Sequence, residues 1–305
     1  MIRLRSPSTL SRVEGLILLS RAKLNLYLEV LNLRKDNYHN IKTIFERIDL
    51  SDKIILRPRP DRLIRIICRD SYVPKDKTNL CYRSARLLQE SFNIQTGLDI
   101  EIIKRIPVGS GLGGGSSNAA SVLLGLNKIW KLNLSRERLL RFAKKIGADV
   151  PFFLYNSSFA IGEGRGDKIK VLRLQRVRGF WHILVVPKIK ISTALIYKKW
   201  DSLKNLELTR PKYNVKILTS ALRKNALPFK SGLLFNNLET ATIKLYPKVR
   251  HIKEKLVRLG LESILMSGSG PAVFGVVSSR KEAVSLSRKL KKEERSWRIF
   301  VTETI

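Results

Sequence analysis

Between Pro107 and Ala120 the sequence reads PVGSGLGGGSSNAA and passes without a break into SVLLGLNKIW. Ordering glycine costs more backbone entropy than ordering any other residue, so a glycine cluster set directly against an apolar helix-former needs a physical reason. A spacer supplies none. A loop that brings backbone N–H groups up to a ligand and then hands over to a rigid helix supplies one. Gly109, Gly111 and Gly113–Gly115 permit positive φ and close approach, and Ser116 and Ser117 offer hydroxyls where the helix is predicted to begin. The first N–H groups of that helix lack internal partners and lie at the positive end of its dipole, so the stretch is predicted to cradle a phosphate chain. It is not a Walker A loop, because Ser116 stands where the lysine would be. Nor is it a Rossmann fingerprint, because a long polar loop precedes the helix in place of a tight strand-to-helix turn. The positive charge a phosphate needs must come from elsewhere in the chain.

The rest of the chain narrows the class of protein. Its 305 residues, 44% of them hydrophobic, can bury a sizeable core in one large or two medium domains. No apolar run approaches the ~18–20 residues that span a bilayer. The best candidate, LILLSRAKLNLYLEV, is interrupted by Arg21, Lys23 and Asn25, so a soluble protein without a membrane partner is expected. Two cysteines, Cys68 and Cys81, exclude a disulfide framework and fit a reducing compartment. The histidines, His39, His182 and His251, are too scattered to promise a metal site. Net charge is +34, but the cations run from Arg3 to Arg298 without a dense block, and no ring-rich RNA-binding signature accompanies them. Such a field attracts anions and does not specify a nucleic acid. The opening MIRLRSPSTLSR contains no acid and resembles a piece of a transit peptide. A bacterial cytoplasmic location is nevertheless expected, with a plastid or other organelle as the alternative.

Periodicity predicts strands over 16–31, 43–50, 53–57, 63–68, 98–103 and 183–186, and a hairpin over 159–174 turning near GEGRGD. Helices are predicted over 79–92, 117–130, from the Ser135 N-cap to Gly147, 192–201, 214–224, 232–259 and 280–293, with strands near 262–266, 272–277 and 297–303. This is an α+β pattern with mixed or antiparallel sheets, divided near Arg176–Gly179 into units 1–177 and 178–305.

Five segments, in order, resemble the motifs of the GHMP kinases, a family named for galactokinase, homoserine kinase, mevalonate kinase and phosphomevalonate kinase. RAKLNLYLEV is similar to the N-terminal strand, DNYHNIKTIFERIDLSD to the segment after it, PVGSGLGGGSSNAA to the phosphate loop, IGADVPFFL to a catalytic segment and MSGSGPAVFG to the third glycine motif. The resemblance covers about Leu16 to Phe300. It implies a two-domain α+β fold with the active site in the interdomain cleft. The order of motifs is most similar to the branch that phosphorylates the 2-hydroxyl of a cytidine-diphospho-methylerythritol with ATP.

Carried over residue by residue, the resemblance makes Asp149 the base that takes the hydroxyl proton and Lys23 the cation that orients it and offsets charge on the transferring group. Pro107, Val108, Gly109, Ser110, Gly111, Leu112, Gly113, Gly114, Gly115, Ser116 and Ser117 become the ATP contacts. Tyr38, His39 and Tyr197 are implied to contact the cytosine, Asn25 to reach the substrate from the strand face of Lys23, and Gly268, Ser269 and Gly270 to close on substrate or phosphate. Asn37 replaces a glycine in the DNYH turn and is expected to keep a left-handed backbone. Mg²⁺ is expected on the ATP phosphates, water and a serine hydroxyl such as Ser117, since Asn118 brings no charge. The partner is a small cytidine diphosphate, and the protein is a monomer or homodimer. A homoserine-kinase-like acceptor, or a basic nucleic-acid-binding role without catalysis, stands as the alternative.

Overall fold

Alternating apolar and polar residues make the first two elements long strands, β1 (Leu16–Leu33) and β2 (His39–Arg59), paired antiparallel. The computed structural model describes residues 15–174, 179–203, 214–224 and 232–305. The expected division at 177/178 and the segment MIRLRSPSTLSR lie outside the described residues. Asn37 turns the chain between β1 and β2 with φ of 61°, as the substitution for glycine required. The strands expected over 43–50 and 53–57 form one element, because Ser51 and Asp52 stay in register opposite Arg21 and Ser20. In β1 the register slips between Arg21 and Ala22 and again between Asn25 and Tyr27, so irregularities bracket Lys23 and Asn25. Such bulges re-aim side chains beside functional sites.

There follow β3 (Ile64–Cys68), α1 (Leu80–Ser91), β4 (Gly97–Ile103), α2 (Gly114–Ile129), α3 (Arg136–Ile146), α4 (Val150–Phe153), β5 (Phe159–Glu163) and β6 (Lys168–Val171). Asn79 and Ser135 cap α1 and α3 through their side chains. The second half contains β7 (Trp181–Val186), α5 (Thr193–Leu203), α6 (Val215–Arg223), β8 (Phe235–Asn236), α7 (Leu238–Leu245), α8 (Pro247–Arg258), β9 (Ile264–Met266), β10 (Val273–Val277), α9 (Arg280–Glu293) and β11 (Arg298–Glu303). The helix predicted over 232–259 is thus a short strand and two helices. Pro247, which has no N–H to give, opens α8 where α7 ends.

Sheet order is β3-β4-β2-β1-β8, with β5 on β2 and β6 on β5, and a second sheet runs β11-β7-β10-β9. Pairing is antiparallel except for β3–β4 and β1–β8, so the α+β expectation with mixed sheets holds. Helices α1–α3 bury their apolar faces on the first sheet around Leu88, Leu123 and Leu126. A second cluster joins the sheets: Leu24, Leu26 and Ile48 of the first pack with Leu184, Leu265 and Phe274 of the other. Across the same contact, His182 Nε2 lies 2.9 Å from Glu46 Oε1 with both side chains fully buried. Cys68 and Cys81 are buried and unpaired, and burial pushes the Cys81 thiol up to about 12, as structural cysteines require. Leu123→Ala should cost ~2–5 kcal/mol in chemical denaturation, because its site lies between packed elements that cannot collapse onto the void.

Candidate functional site

The glycine loop forms the wall between two cavities. The larger, of about 990 Å³, is lined by Lys23, Asn25, His39, Asp149 and Tyr197 among others. The smaller, of about 350 Å³, is bounded by Asn79, Leu80, Lys104 and the loop itself. Gly111, Gly113 and Ser116 face both. Gly111 and Gly113 adopt φ of 79° and 70°. A Cβ on Gly111 would stand 2.2 Å from Ser267 O, so the loop and the third glycine motif touch backbone to backbone. Ser267 Oγ donates to Gly111 O at 3.1 Å, Ala272 N donates to Ser110 O at 3.2 Å, and Lys23 N donates to Leu112 O at 3.0 Å.

Helix α2 begins at Gly114, ahead of the predicted Ser117, and this moves the hydroxyls. Ser117 sits inside the first turn, 2% exposed, and accepts from Ser20 Oγ at 2.8 Å. It lines neither cavity; Ser116 faces both. The hydroxyl expected on the cavity side from Ser117 is engaged with Ser20 instead, and Ser116 is the serine of this pair that borders the cavities. Leu112 is likewise turned inward and fully buried, so its side chain anchors the loop in the cluster that joins the sheets. Pro107–Gly111 and Gly113–Ser116 line the smaller cavity.

Beside the loop, Lys104 lines the smaller cavity. Its ammonium pairs with Asp52, which is fully buried. The same carboxylate accepts from Arg105 N at 2.7 Å, Ile106 N at 2.9 Å and Asn118 Nδ2 at 3.0 Å. Asp52 thus fixes the strand end, the start of the loop and the first turns of α2 together. Asp52 ends the motif DNYHNIKTIFERIDLSD, but its role is not legible there because its partners are remote along the chain. Asn118, whose missing charge was noted, holds Asp52 and Ser20.

In the larger cavity Lys23 is 3% exposed. Its Nζ donates to Asn25 Oδ1 at 2.5 Å, lies 3.7 Å from Asp149 Oδ2 and sits 5.6 Å from the centre of the Phe45 ring. Burial pulls its ammonium below the usual lysine value, and Asp149 opposes that shift. Asn25 is held in turn by donating from Nδ2 to Thr43 Oγ1 at 2.8 Å. Asp149 occupies the residue before α4 but makes no side-chain cap and has αR backbone angles. A carboxylate in that position ordinarily caps; this one is left for Lys23 and the cavity.

His39 Nε2 lies 2.9 Å from Asp201 Oδ1. Its ring stacks on Tyr197 at 5.2 Å and meets Trp200 edge-on at 5.4 Å. Tyr38 is exposed at the rim beneath the Arg165 guanidinium, 5.2 Å from the ring centre. Burial, then the charge of Asp149, pushes the Tyr197 phenol upward, so it remains a neutral donor. Gly268 and Ser269 line the cavity, and Ser269 Oγ is 2.8 Å from Thr193 Oγ1 at the start of α5. Gly270 does not line it: its N–H donates to Ser267 O at 2.9 Å and it packs on Met266, so its part is to shape the turn. Among the described residues no group of three or more His, Cys, Asp or Glu is placed to hold a metal ion.

Comparison with known proteins agrees with this geometry. Residues 79–157 match the GHMP kinases N terminal domain and residues 217–295 match the GHMP kinases C terminal description. The chain is 44% identical over 262 residues to 4-diphosphocytidyl-2-C-methyl-D-erythritol kinase of Geobacillus sp. (strain WCH70), covering 86% of this chain and 88% of the relative. It is 37% identical over 294 residues to the kinase of the same name from Acetivibrio thermocellus, covering 96% and 100%. A crystal structure of 4-(cytidine 5'-diphospho)-2C-methyl-D-erythritol kinase superposes with a TM-score of 0.78 at 30% identity, over 95% of this chain and all of that one, 100%. Homoserine kinase from Cytophaga hutchinsonii, at 19% identity and a TM-score of 0.69 over 98% and 97% of the two chains, shares the fold.

Removing the Asp52 charge tests how the loop is held. Asp52→Asn should lower stability by ~3–5 kcal/mol, the usual loss when one member of a buried pair is neutralised, and should raise KM for the nucleotide. Denaturant titration and steady-state kinetics measure the two effects.

Proposed function

The chain belongs to the GHMP kinases, which makes it an ATP-dependent small-molecule kinase, and on that premise we propose that it phosphorylates the 2-hydroxyl of 4-diphosphocytidyl-2-C-methyl-D-erythritol. The observation that carries the reading is the pair of cavities meeting at Gly111, Gly113 and Ser116, with Lys23 and Asp149 on the larger side. ATP lies in the smaller cavity with its phosphates along the loop, where backbone N–H groups, the N-terminus of α2 and Lys104 supply positive potential. The cytidine diphosphate and its polyol fill the larger one, the base against His39 and Tyr197. A homoserine-sized acceptor would leave most of that volume, and its aromatic wall, without a partner.

Phosphoryl transfer rests mainly on positioning and charge stabilisation. The acceptor hydroxyl gives its proton to the Asp149 carboxylate while its oxygen attacks the γ-phosphorus. The bond from that phosphorus to the β,γ-bridging oxygen breaks, and the electron pair leaves with ADP. Lys23, desolvated and fixed by Asn25, holds Asp149 toward the hydroxyl and balances charge on the moving group. The donor set suits a Mg²⁺ ion that arrives on the nucleotide: the Ser116 hydroxyl is at hand, and no cluster of acids among the described residues would strip the ion of its waters. Bound there, the ion would neutralise β- and γ-phosphate charge.

The direct test is whether purified protein forms ADP only when the cytidyl-erythritol compound is supplied. Turnover with homoserine, or equal turnover without any acceptor, would overturn the assignment. Asp149→Asn should reduce turnover by about 10²–10⁴-fold with nucleotide binding intact, as loss of a positioned base does. Because Lys23 titrates below the ordinary value of 10.5, kcat/KM should fall on an alkaline limb with its midpoint under that value, since losing the proton removes the cation. In Lys23→Arg, which cannot lose its charge in this range, the limb should vanish from the residual activity. An unchanged limb would remove Lys23 from the charge balance.

A further inference from the structure

One face of α5 meets His39. Tyr197, Trp200 and Asp201 stand at helical spacing; two of them grip the imidazole ring by stacking and by edge contact, and the third bonds its Nε2. His39 is 6% exposed. The Nε2 bond to Asp201 is the ring's hydrogen bond among the described residues, and the ring borders the larger cavity. A carboxylate accepts and does not donate, so the proton of the neutral imidazole is drawn to Nε2 and Nδ1 is left as a bare acceptor. We propose that Asp201 is a specificity-determining positioning residue: by fixing the tautomer of His39 it makes the base pocket favour a pyrimidine bearing an exocyclic amine over one bearing a carbonyl at the same position.

The chemistry follows from the inventory of donors and acceptors. The amine of cytosine donates to the Nδ1 lone pair. The carbonyl of uracil presents a second lone pair there, and both acceptors are left desolvated without a proton between them. A pocket built around a hydrogen bond rejects the analogue that cannot make it, because the buried partner stays unsatisfied. Without Asp201 the imidazole can move its proton to Nδ1 and donate to the carbonyl, so selectivity falls in both directions. The ring itself keeps its place, since Tyr197 and Trp200 still hold it. Asp201 is partly exposed at the cavity rim, with 37% of its side chain accessible, so its loss leaves the core of the fold untouched.

This proposal rests on reading the larger cavity as the base pocket, and the experiment separates the two. In the full-length protein, kcat and KM are measured for the cytidine diphosphate acceptor and for its uridine counterpart, in wild type, Asp201→Ala and Asp201→Asn. Nitrogen NMR of ¹⁵N-histidine-labelled, ligand-free protein reports the His39 tautomer, assigned by the signal lost in His39→Asn. Wild type should show the Nε2–H form and prefer cytidine. In Asp201→Ala the preference should shrink about 10–100-fold, chiefly through KM for the cytidine compound, with His39 moving toward a mixture of tautomers. Asp201→Asn, whose amide oxygen still accepts, should fall between. An unchanged preference and tautomer in folded Asp201→Ala overturns the proposal and leaves the kinase reading standing. A wild-type His39 protonated on Nδ1 overturns it independently of any substrate. Wild type inactive on the cytidine compound overturns the base-pocket reading and the proposed selectivity with it.

Discussion

A lysine that is 3% exposed keeps its ammonium at a cost, and much of this fold is arranged around the one at Lys23. Two irregularities in β1 turn the segment from Ala22 to Asn25 so that its polar side chains reach the cleft. Asn25, itself held by Thr43, gives the ammonium an oxygen; Phe45 gives it a ring face; Asp149 gives it a counter-charge from the start of a four-residue helix. The main-chain N–H of the same lysine is bonded to Leu112, so the residue also pins the phosphate loop. The buried ammonium is thereby made a structural joint, with the glycine loop and Asp149 sharing its surroundings.

The second cation is treated in the same way. Lys104 lines the smaller cavity and pairs with Asp52, which gathers strand end, loop start and helix start onto one carboxylate. The two lysines therefore approach the glycine loop from opposite sides, one with each chamber. The sheets carrying these groups share a continuous apolar cluster, with the Glu46–His182 contact inside it, so the cleft is framed by packed β-structure.

How far this could be read in advance depended on the range of each interaction. The strands and the capped helices α1 and α3 were legible because their signals are local: alternation, Asn79, Ser135. The early start of α2 is not legible because Gly114 and Gly115 are poor helix formers, and only the fold packs Gly114 against Ile106 and Lys104 and Gly115 against Leu80. The stretch over 232–259 misled because its apolar spacing persists through Asn236, whose amide instead bonds Met266 O and Gly268 O to brace the third motif. Asp149, Lys23 and the glycine loop were recognisable from the motifs around them. The roles of Asp52, although it ends the second motif, and of Asp201 were not, since each acts on a residue far away along the chain, and only folding brings that residue within 3 Å or less. The inward turn of Ser117 and the exclusion of Gly270 from the cavity belong to the same class: the residue type was informative, its orientation was not.

The common wall between the chambers has a consequence for ligand design. Gly111 and Gly113 line both the space of about 350 Å³ and the space of about 990 Å³, so the two chambers are separated by a single stretch of backbone. Under the proposed assignment of the two chambers, an adenosine joined to a cytidine-bearing alcohol through a short chain of phosphates would engage both at once. Its second half would bind at the effective concentration set by that tether, so its affinity would exceed that of either half alone.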